Sequence, residues 1–328
     1  MTDVARLAGV SHQTVSRVIN NHPSVREGTR QRVQEAIDQL GYRRNLVARQ
    51  LATGSGRALG LVSVGTAHFG PASAIFAIAE ASRQRGYFLN FAALTEIDAM
   101  HMREAIDYLK DSSVDAILVI APVRAAVEAL RDLDAGIPVI RIGKTAATLQ
   151  AGLYVDNVEG ARLATRHLLE LGHRNVHHVS GPPDWVEAEA RLRGWRAELD
   201  SQSINAPTVV AGDWSSDSGY QAGLELARSA ELTAVFAAND QMALGVMRAL
   251  EDSGRRVPQD VSVVGFDDVP DAAFFGPALT TVRQDLVEIG RRSVDAVLAL
   301  VQGASLPSHE PVEPLLVIRE STTSPRSA

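Results

Sequence analysis

The sequence predicts an α/β chain with a helical N-terminal head followed by parallel sheets flanked by helices, on the strength of two observations. The first twenty residues spell a helix, a tight turn and a second helix. From Ala58 onward, short Val/Ile/Leu-rich strands alternate with amphipathic segments of helix length. Such βα alternation calls for parallel sheets with helices on both faces, and open sheets of this kind bind ligands at the carboxyl ends of their strands.

In Asp3-Val4-Ala5-Arg6-Leu7-Ala8-Gly9-Val10, residues Val4, Ala5 and Ala8 fall at helical spacing and make one small apolar face. Gly9 can turn with positive φ, and Ser11 is a suitable N-cap for the next helix. Within Ser11 to Asn20, SHQTVSRVIN, Val15, Val18 and Ile19 recur at i, i+3 and i+4, leaving His12, Gln13, Thr14, Ser16 and Arg17 outside. Gln and Arg pair with adenine and guanine edges in a major groove, while Ser and Thr suit phosphates or bases. An ordinary amphipathic helix pair would share the apolar spacing, but the next segment favours a DNA reader. Ser24-Val25-Arg26-Glu27 reads as a capping box opening a third helix, roughly Arg26 to Leu40, whose Val33, Ala36, Ile37 and Leu40 cover the first two; Gly41 ends it. Tyr42 to Ala52 is basic and weakly amphipathic, short enough to need a partner to stay helical, and Thr53-Gly54-Ser55-Gly56 follows as a flexible stretch.

The formal charge of −7 hides an asymmetry. Met1 to Ala52 carries eight Arg, no Lys and four acidic residues, a net of +4, whereas the remainder carries 24 basic and 35 acidic residues, a net of −11. A small basic head that touches phosphate and an acidic body that binds something else fit this distribution. No apolar run approaches a membrane span and the N-terminus has no secretory signal, so a cytoplasmic protein with no membrane partner is expected. The absence of Cys excludes disulfides and thiolate chemistry, and the nine His form no ligand cluster, so neither metal nor cofactor is expected.

In the body, the expected strand and helix pairs are Ala58 to Val64 with Ile75 to Arg85, Phe88 to Ala92 with Ala99 to Asp111, and Ala116 to Ile120 with Ala125 to Asp134. Further strands are expected at Val176 to Val179, Val209 to Ala211, Ala234 to Ala237 and Val261 to Val264, each followed by a helical stretch.

Nearly the whole chain resembles the lactose repressor family (LacI/GalR type). The motifs are DVARLAGVSHQTVSRVIN, NLVARQLA, LGH at Leu171 to His173, RLRGW at Arg191 to Trp195, GDWSSDSGY at Gly212 to Tyr220, ANDQMALG at Ala238 to Gly245, VSVVGFDD at Val261 to Asp268 and LTTVRQD at Leu279 to Asp285. Several are closest to the member that gives the family its name, which points to a sugar sensor more than a purine sensor. The resemblance implies a helix-turn-helix domain at 1–44, a hinge helix and linker at 45–57, and an effector-binding and dimerisation domain at 58–328. It further implies two doubly wound lobes of periplasmic-binding-protein type. The N-subdomain would be about 58–156 and 286–311, the C-subdomain about 157–284 and 312–325, with crossings near Val155 to Asn157, Val282 to Asp285 and Pro311 to Glu313.

Carried over by motif, the implied function is a dimeric repressor that binds double-stranded operator DNA and is released by a small sugar, galactoside-like, held between the lobes. His12, Gln13 and Arg17 would read bases. Thr14, Ser16, Asn20, Thr29, Tyr42 and Asn45 would contact the DNA backbone or position helices. Ala48 and Leu51 lie in the hinge, Leu51 as a wedge in the minor groove. Arg191, Trp214, Asn239, Asp267 and Gln284 would hold the effector, with Pro71 in the apolar wall His68-Phe69-Gly70-Pro71. Trp offers a flat face to a sugar ring and the polar groups match its hydroxyls. Each also has a structural reading: Trp214 as core, Asn239 and Asp267 as helix caps, Arg191 as a salt-bridge partner.

Ile120 and Leu286 depart from the family's name-giving member, which has a sugar-contacting polar residue and an aromatic there, so a different sugar is expected. His12 replaces a Tyr, so the operator should differ too. The capping-box Thr that usually precedes the first helix is missing, so the reading frame is expected to begin a few residues upstream and the helix to fray. No leucine heptads follow the body, which favours a dimer over a tetramer. Paired carboxylates for glycoside hydrolysis, Asp267 with Asp268 or Asp240 with Asp285, find no support as an acid and base across a bond, so no enzymatic activity is expected. A sugar-binding protein without DNA function, or a co-repressor-dependent regulator, are the alternatives.

Overall fold

The computed structural model describes residues 1–19, 22–42, 56–95, 98–130, 135–143 and 152–326. The chain divides into two compact units, Met1–Gly56 and Arg57–Ala328. Asn20, Asn45, Ala48 and Leu51, all expected at the DNA, lie outside the described residues.

The first unit contains α1 (Thr2–Ala8), α2 (His12–Ile19) and α3 (Glu27–Gln39). Gly9 takes φ 64° and lets the chain turn, and the Val10 N–H donates to the Ala5 carbonyl at 3.0 Å. Ser11 caps α2, its Oγ accepting from the Thr14 N–H at 3.1 Å. Val4, Ala5, Ala8, Val15, Val18, Val33 and Ala36 close a small core. Two expectations fail here. Ser24 does not cap α3, because its hydroxyl lies 2.8 Å from His22 Nδ1; α3 begins at Glu27 behind Arg26, with no side-chain cap. Leu40 is 46% exposed instead of buried, because α3 has already ended at Gln39 and Gly41 turns away with φ 56°. The N-terminus of α1 likewise has no side-chain cap.

The second unit holds two sheets. β1 (Ala58–Val64), β2 (Phe88–Leu94), β3 (Ala116–Ile120) and β4 (Val139–Ile142) are parallel in the order β2-β1-β3-β4. Between them run α4 (Phe69–Gln84), α5 (Ala99–Asp111) and α6 (Arg124–Ala129). β1 is buried along its whole length, as a central parallel strand covered on both faces should be. Ile117 and Val119 face Met102, Ile106 and Leu109 of α5, while Leu118 and Ile120 face Ala74 and Ile78 of α4.

The other lobe contains α7 (Asn157–Glu170), β5 (Val176–Ser180), α8 (Val186–Ser201), β6 (Val210–Ala211), α9 (Ser216–Leu226), β7 (Ala234–Ala237), α10 (Asp240–Asp252) and β8 (Ser262–Val264). Its strands are parallel in the order β6-β5-β7-β8. A 3₁₀ turn (Pro270–Phe274), β9 (Thr281–Arg283), α11 (Leu286–Val301) and β10 (Leu315–Val317) complete the unit, β9 and β10 pairing antiparallel. α11 returns to the first lobe, where Val294 and Val297 join the core under β1 and β3. The lobes are therefore linked by repeated crossings, one marked by the parallel bridge of Val155 with Val312.

α4 starts at Phe69, not Ile75: Pro71 sits in its first turn, where its missing N–H has no intrahelical partner to lose. α6 is described from Arg124 to Ala129, and the expected end at Asp134 lies outside the described residues. β4, β9 and β10 are additions to the expected strands.

Candidate functional site

In the head, His12, Gln13 and Arg17 project from α2 into solvent, and Thr14 and Ser16 are half-buried beside them. The Thr14 and Ser11 hydroxyls lie 2.9 Å apart, which fixes the Thr14 side chain at the start of the helix. Thr29, in the first turn of α3, is half-buried, and Tyr42 packs on the edge of the head core. The apolar side of α2 faces Val4 and Val33, which leaves its polar side toward solvent.

In the body, loops from the carboxyl ends of both parallel sheets converge on a cavity of about 1150 Å³, counting its open mouth. Pro71, Arg191, Trp214, Asn239, Asp267 and Gln284 all line it. The first lobe and α11 supply a largely apolar wall, including Phe69, Pro71, Ile120, Leu286 and Ile289. The second lobe supplies most of the polar groups. Ile120 and Leu286, the two departures from the family pattern, thus make the cleft more apolar.

Arg191 is the centre of the polar side. Its Nε donates to Asn157 Oδ1 at 2.8 Å, Nη1 donates to the Ala238 carbonyl at 2.5 Å, and Nη2 lies 3.4 Å from Asp267 Oδ1. The Arg191 and Asp267 side chains are only 5% and 6% exposed. The guanidinium also sits 3.8 Å from the Phe266 ring centroid, a favourable cation–π position. Burial pushes the Arg191 pKa down and the Asp267 carboxyl up, and their mutual attraction opposes both shifts. Gln284 Nε2 donates to Asp267 Oδ1 at 2.7 Å, so Asp267 arrives at the cavity already engaged.

Asn239 caps α10, its Oδ1 accepting from the Met242 N–H at 2.9 Å, and its Nδ2 donates to the Trp214 carbonyl at 3.0 Å. Asn239 thus caps a helix at the cavity wall, and Trp214 joins the lobe's core while lining the cavity. Asp267 caps no helix. Trp214 and Asp267 hold φ of 76° and 113°, unusual for non-glycine residues and found where surrounding structure dictates side-chain direction.

Behind this wall, Asp240 accepts from the Val269 N–H at 2.8 Å and the Thr281 hydroxyl at 2.5 Å. Burial, reinforced by the nearby Asp267, raises its pKa to about 8. Neither carboxylate pair suggested for glycoside hydrolysis is free: Asp268 is bound by Arg283 and Arg319, and Asp285 caps α11.

Trp185 and Glu187 were not singled out in the sequence, yet both line the cavity. The Trp185 ring meets Trp214 edge-on at 5.4 Å and His68 at 5.0 Å. Its backbone lies in a bridge between the lobes, where the Arg124 N–H donates to the Asp184 carbonyl at 3.0 Å and the Val186 N–H to the Pro122 carbonyl at 2.9 Å. Glu187 precedes Arg191 by one helical turn, a spacing that could have placed it on the same face. Among the described residues, no helix is long and apolar enough to cross a membrane.

Comparison with known proteins places these features in context. Residues 1–45 match the family of bacterial regulatory proteins of lacI type, and residues 165–322 match a periplasmic binding protein-like domain. The lactose operon repressor of Escherichia coli (strain K12) is 34% identical over 330 residues, covering 99% of this chain and 91% of that protein. The HTH-type transcriptional repressor PurR of Vibrio atlanticus is 33% identical, covering 92% and 91%. A crystal structure of the lac repressor dimer bound to operator and the anti-inducer ONPF is 34% identical and superposes with a TM-score of 0.85, covering 98% of each chain. The transcriptional regulator CelR in complex with cellobiose gives a TM-score of 0.72 at 33% identity, covering 97% and 98%.

Proposed function

Because the chain belongs to the lacI family of bacterial regulatory proteins, we propose that it is a dimeric cytoplasmic repressor, released from a pseudo-palindromic operator by a small neutral sugar bound in the cleft. The observation that carries this reading is one cavity that joins a hydrogen-bonding wall from one lobe to an apolar wall from the other. A pyranose presents the matching surfaces, hydroxyls around its rim and C–H groups on its faces.

On this reading the chain is a binding protein and not an enzyme, with its domains divided as the sequence suggests: a head at 1–44, a hinge at 45–57 and a sensor at 58–328. His12, Gln13 and Arg17 read base edges; Thr14, Ser16, Asn20, Thr29, Tyr42 and Asn45 hold the backbone; Ala48 and Leu51 belong to the hinge. Arg191, Trp214, Asn239, Asp267 and Gln284 face the sugar, with Pro71 across the cleft. The exposed Phe76, Val287 and Phe274 offer apolar surface for a second copy. A ligand that prefers one arrangement of the lobes shifts the population towards it, and that difference in affinity is the free energy available to weaken DNA binding.

The test is fluorescence anisotropy of the full chain on DNA from upstream of its own coding region and neighbouring operons, with and without galactosides, glucosides and other neutral sugars. Saturable binding released by one sugar is expected. DNA binding that every sugar leaves unchanged or tightens would refute release by a sugar, and absence of any specific DNA binding would refute the repressor.

A further inference from the structure

Some buried side-chain polar atoms in the described structure have no hydrogen-bond partner, and they belong to Ser82, Arg141, His177, His178, Glu187, Trp214 and Ser293. Of these residues only Glu187 and Trp214 line the cleft. Buried polar atoms are nearly always paired in folded proteins. One unmatched acceptor and one unmatched donor on the lining of a ligand-sized cavity therefore point to a partner that completes both.

We propose that Glu187 Oε2 and Trp214 Nε1 are an acceptor and a donor kept for the hydroxyls of an uncharged saccharide, and that Glu187 makes the cleft reject phosphorylated and acidic sugars. The assignment rests on the sugar-effector reading and deepens it. A hydroxyl both donates and accepts, so a polyhydroxylated ring can satisfy the two atoms, whereas a phosphate or carboxylate offers only acceptors to Glu187.

The surrounding charges support the same selectivity. Of the two arginines that line the cleft, Arg191 already donates to Asn157 and Ala238 and is paired with Asp267, and the more exposed Arg193 lies 4.0 Å from Glu189. Asp156 accepts from the Val158 and Glu159 N–H groups at the start of α7, and Asp267 accepts from Gln284. Glu187, second residue of α8, has the helix N-terminus behind it, where the aligned peptide dipoles favour an anion. The Glu187 pKa lies above the ordinary carboxylate value, because burial outweighs the opposing pull of its own backbone amide, Arg191 and Arg141.

Titration calorimetry on the full chain tests the assignment, using glucose, galactose, lactose and cellobiose, the 6-phosphates of glucose and galactose, and glucuronate. The parent should bind at least one neutral sugar and none of the anions. E187Q places an amide donor in the carboxylate's position; it should weaken neutral-sugar binding about tenfold or more and narrow the gap to the charged counterpart. Without sugar, its melting temperature should not fall, because Oε2 has no partner to lose. A lower melting temperature with unchanged selectivity would mark a structural role and overturn the proposal. Unchanged affinity and selectivity in E187Q would overturn it while leaving the sugar-effector reading intact, whereas a parent that binds no sugar would overturn both.

Discussion

Replacing Asp267 by Ala is expected to destabilise the sensor even without a ligand, because it removes the counter-charge of a guanidinium that is itself only 5% exposed. Breaking one side of a buried, hydrogen-bonded ion pair costs about 3–5 kcal/mol, most of it the penalty of the charge left behind. Arg191 keeps Asn157 Oδ1, the Ala238 carbonyl and the Phe266 ring as partners, which places the expected loss at the lower end, about 3 kcal/mol. Gln284 also loses the acceptor of its 2.7 Å hydrogen bond. Urea denaturation without sugar measures the loss. R191M should cost a similar amount, and the double variant should cost at least about 1.5 kcal/mol less than the two added together. A D267A loss below about 1 kcal/mol, or strict additivity, would refute a coupled pair. The consequence for function is direct: a D267A variant that no longer responds to sugar has lost the orientation of Arg191 as well as any contact of its own. D267N keeps an oxygen for Arg191 and Gln284, so it separates the two contributions better.

The raised pKa of Asp240 makes stability depend on pH in an unusual direction. Between its ordinary value of 3.8 and about 8, the folded chain retains a proton that the unfolded chain has released. Stability therefore falls as pH rises through that window and levels off above it. Denaturation at pH 5, 7 and 9 should show the fall in the parent and a flatter profile in D240N; parallel profiles would contradict the assignment. In the head, S11A removes the cap on the Thr14 N–H and should cost about 1 kcal/mol. Hydrogen exchange of the α2 amides should accelerate about fivefold, and unchanged protection would show that the cap contributes nothing.

The sequence revealed the elements whose hydrophobic pattern is local. Val4, Ala5 and Ala8 against Val15 and Val18 made the first two head helices legible, and the apolar runs at Ala58 to Val64, Ala116 to Ile120 and Ala234 to Ala237 coincide with β1, β3 and β7. Competing partners defeated local rules elsewhere: Ser24 has the right spacing for a capping box, but His22 takes its hydroxyl. β9 and β10 are three residues each and pair with one another across the length of α11, so no local periodicity announces them. The cleft shows the same division. Arg191, Trp214, Asn239, Asp267 and Gln284 stand in recognisable motifs, whereas Trp185 and Glu187 fall between GPP and RLRGW, where only the helical spacing from Arg191 could have exposed Glu187. Motifs could name those side chains but not say how their hydrogen bonds are used. Asn239 caps a helix and Asp267 neutralises Arg191, so residues expected to serve a ligand also hold one another in place. Such prior engagement keeps the polar wall ordered before a ligand arrives, and the polar atoms left without partners are where its selectivity can be set.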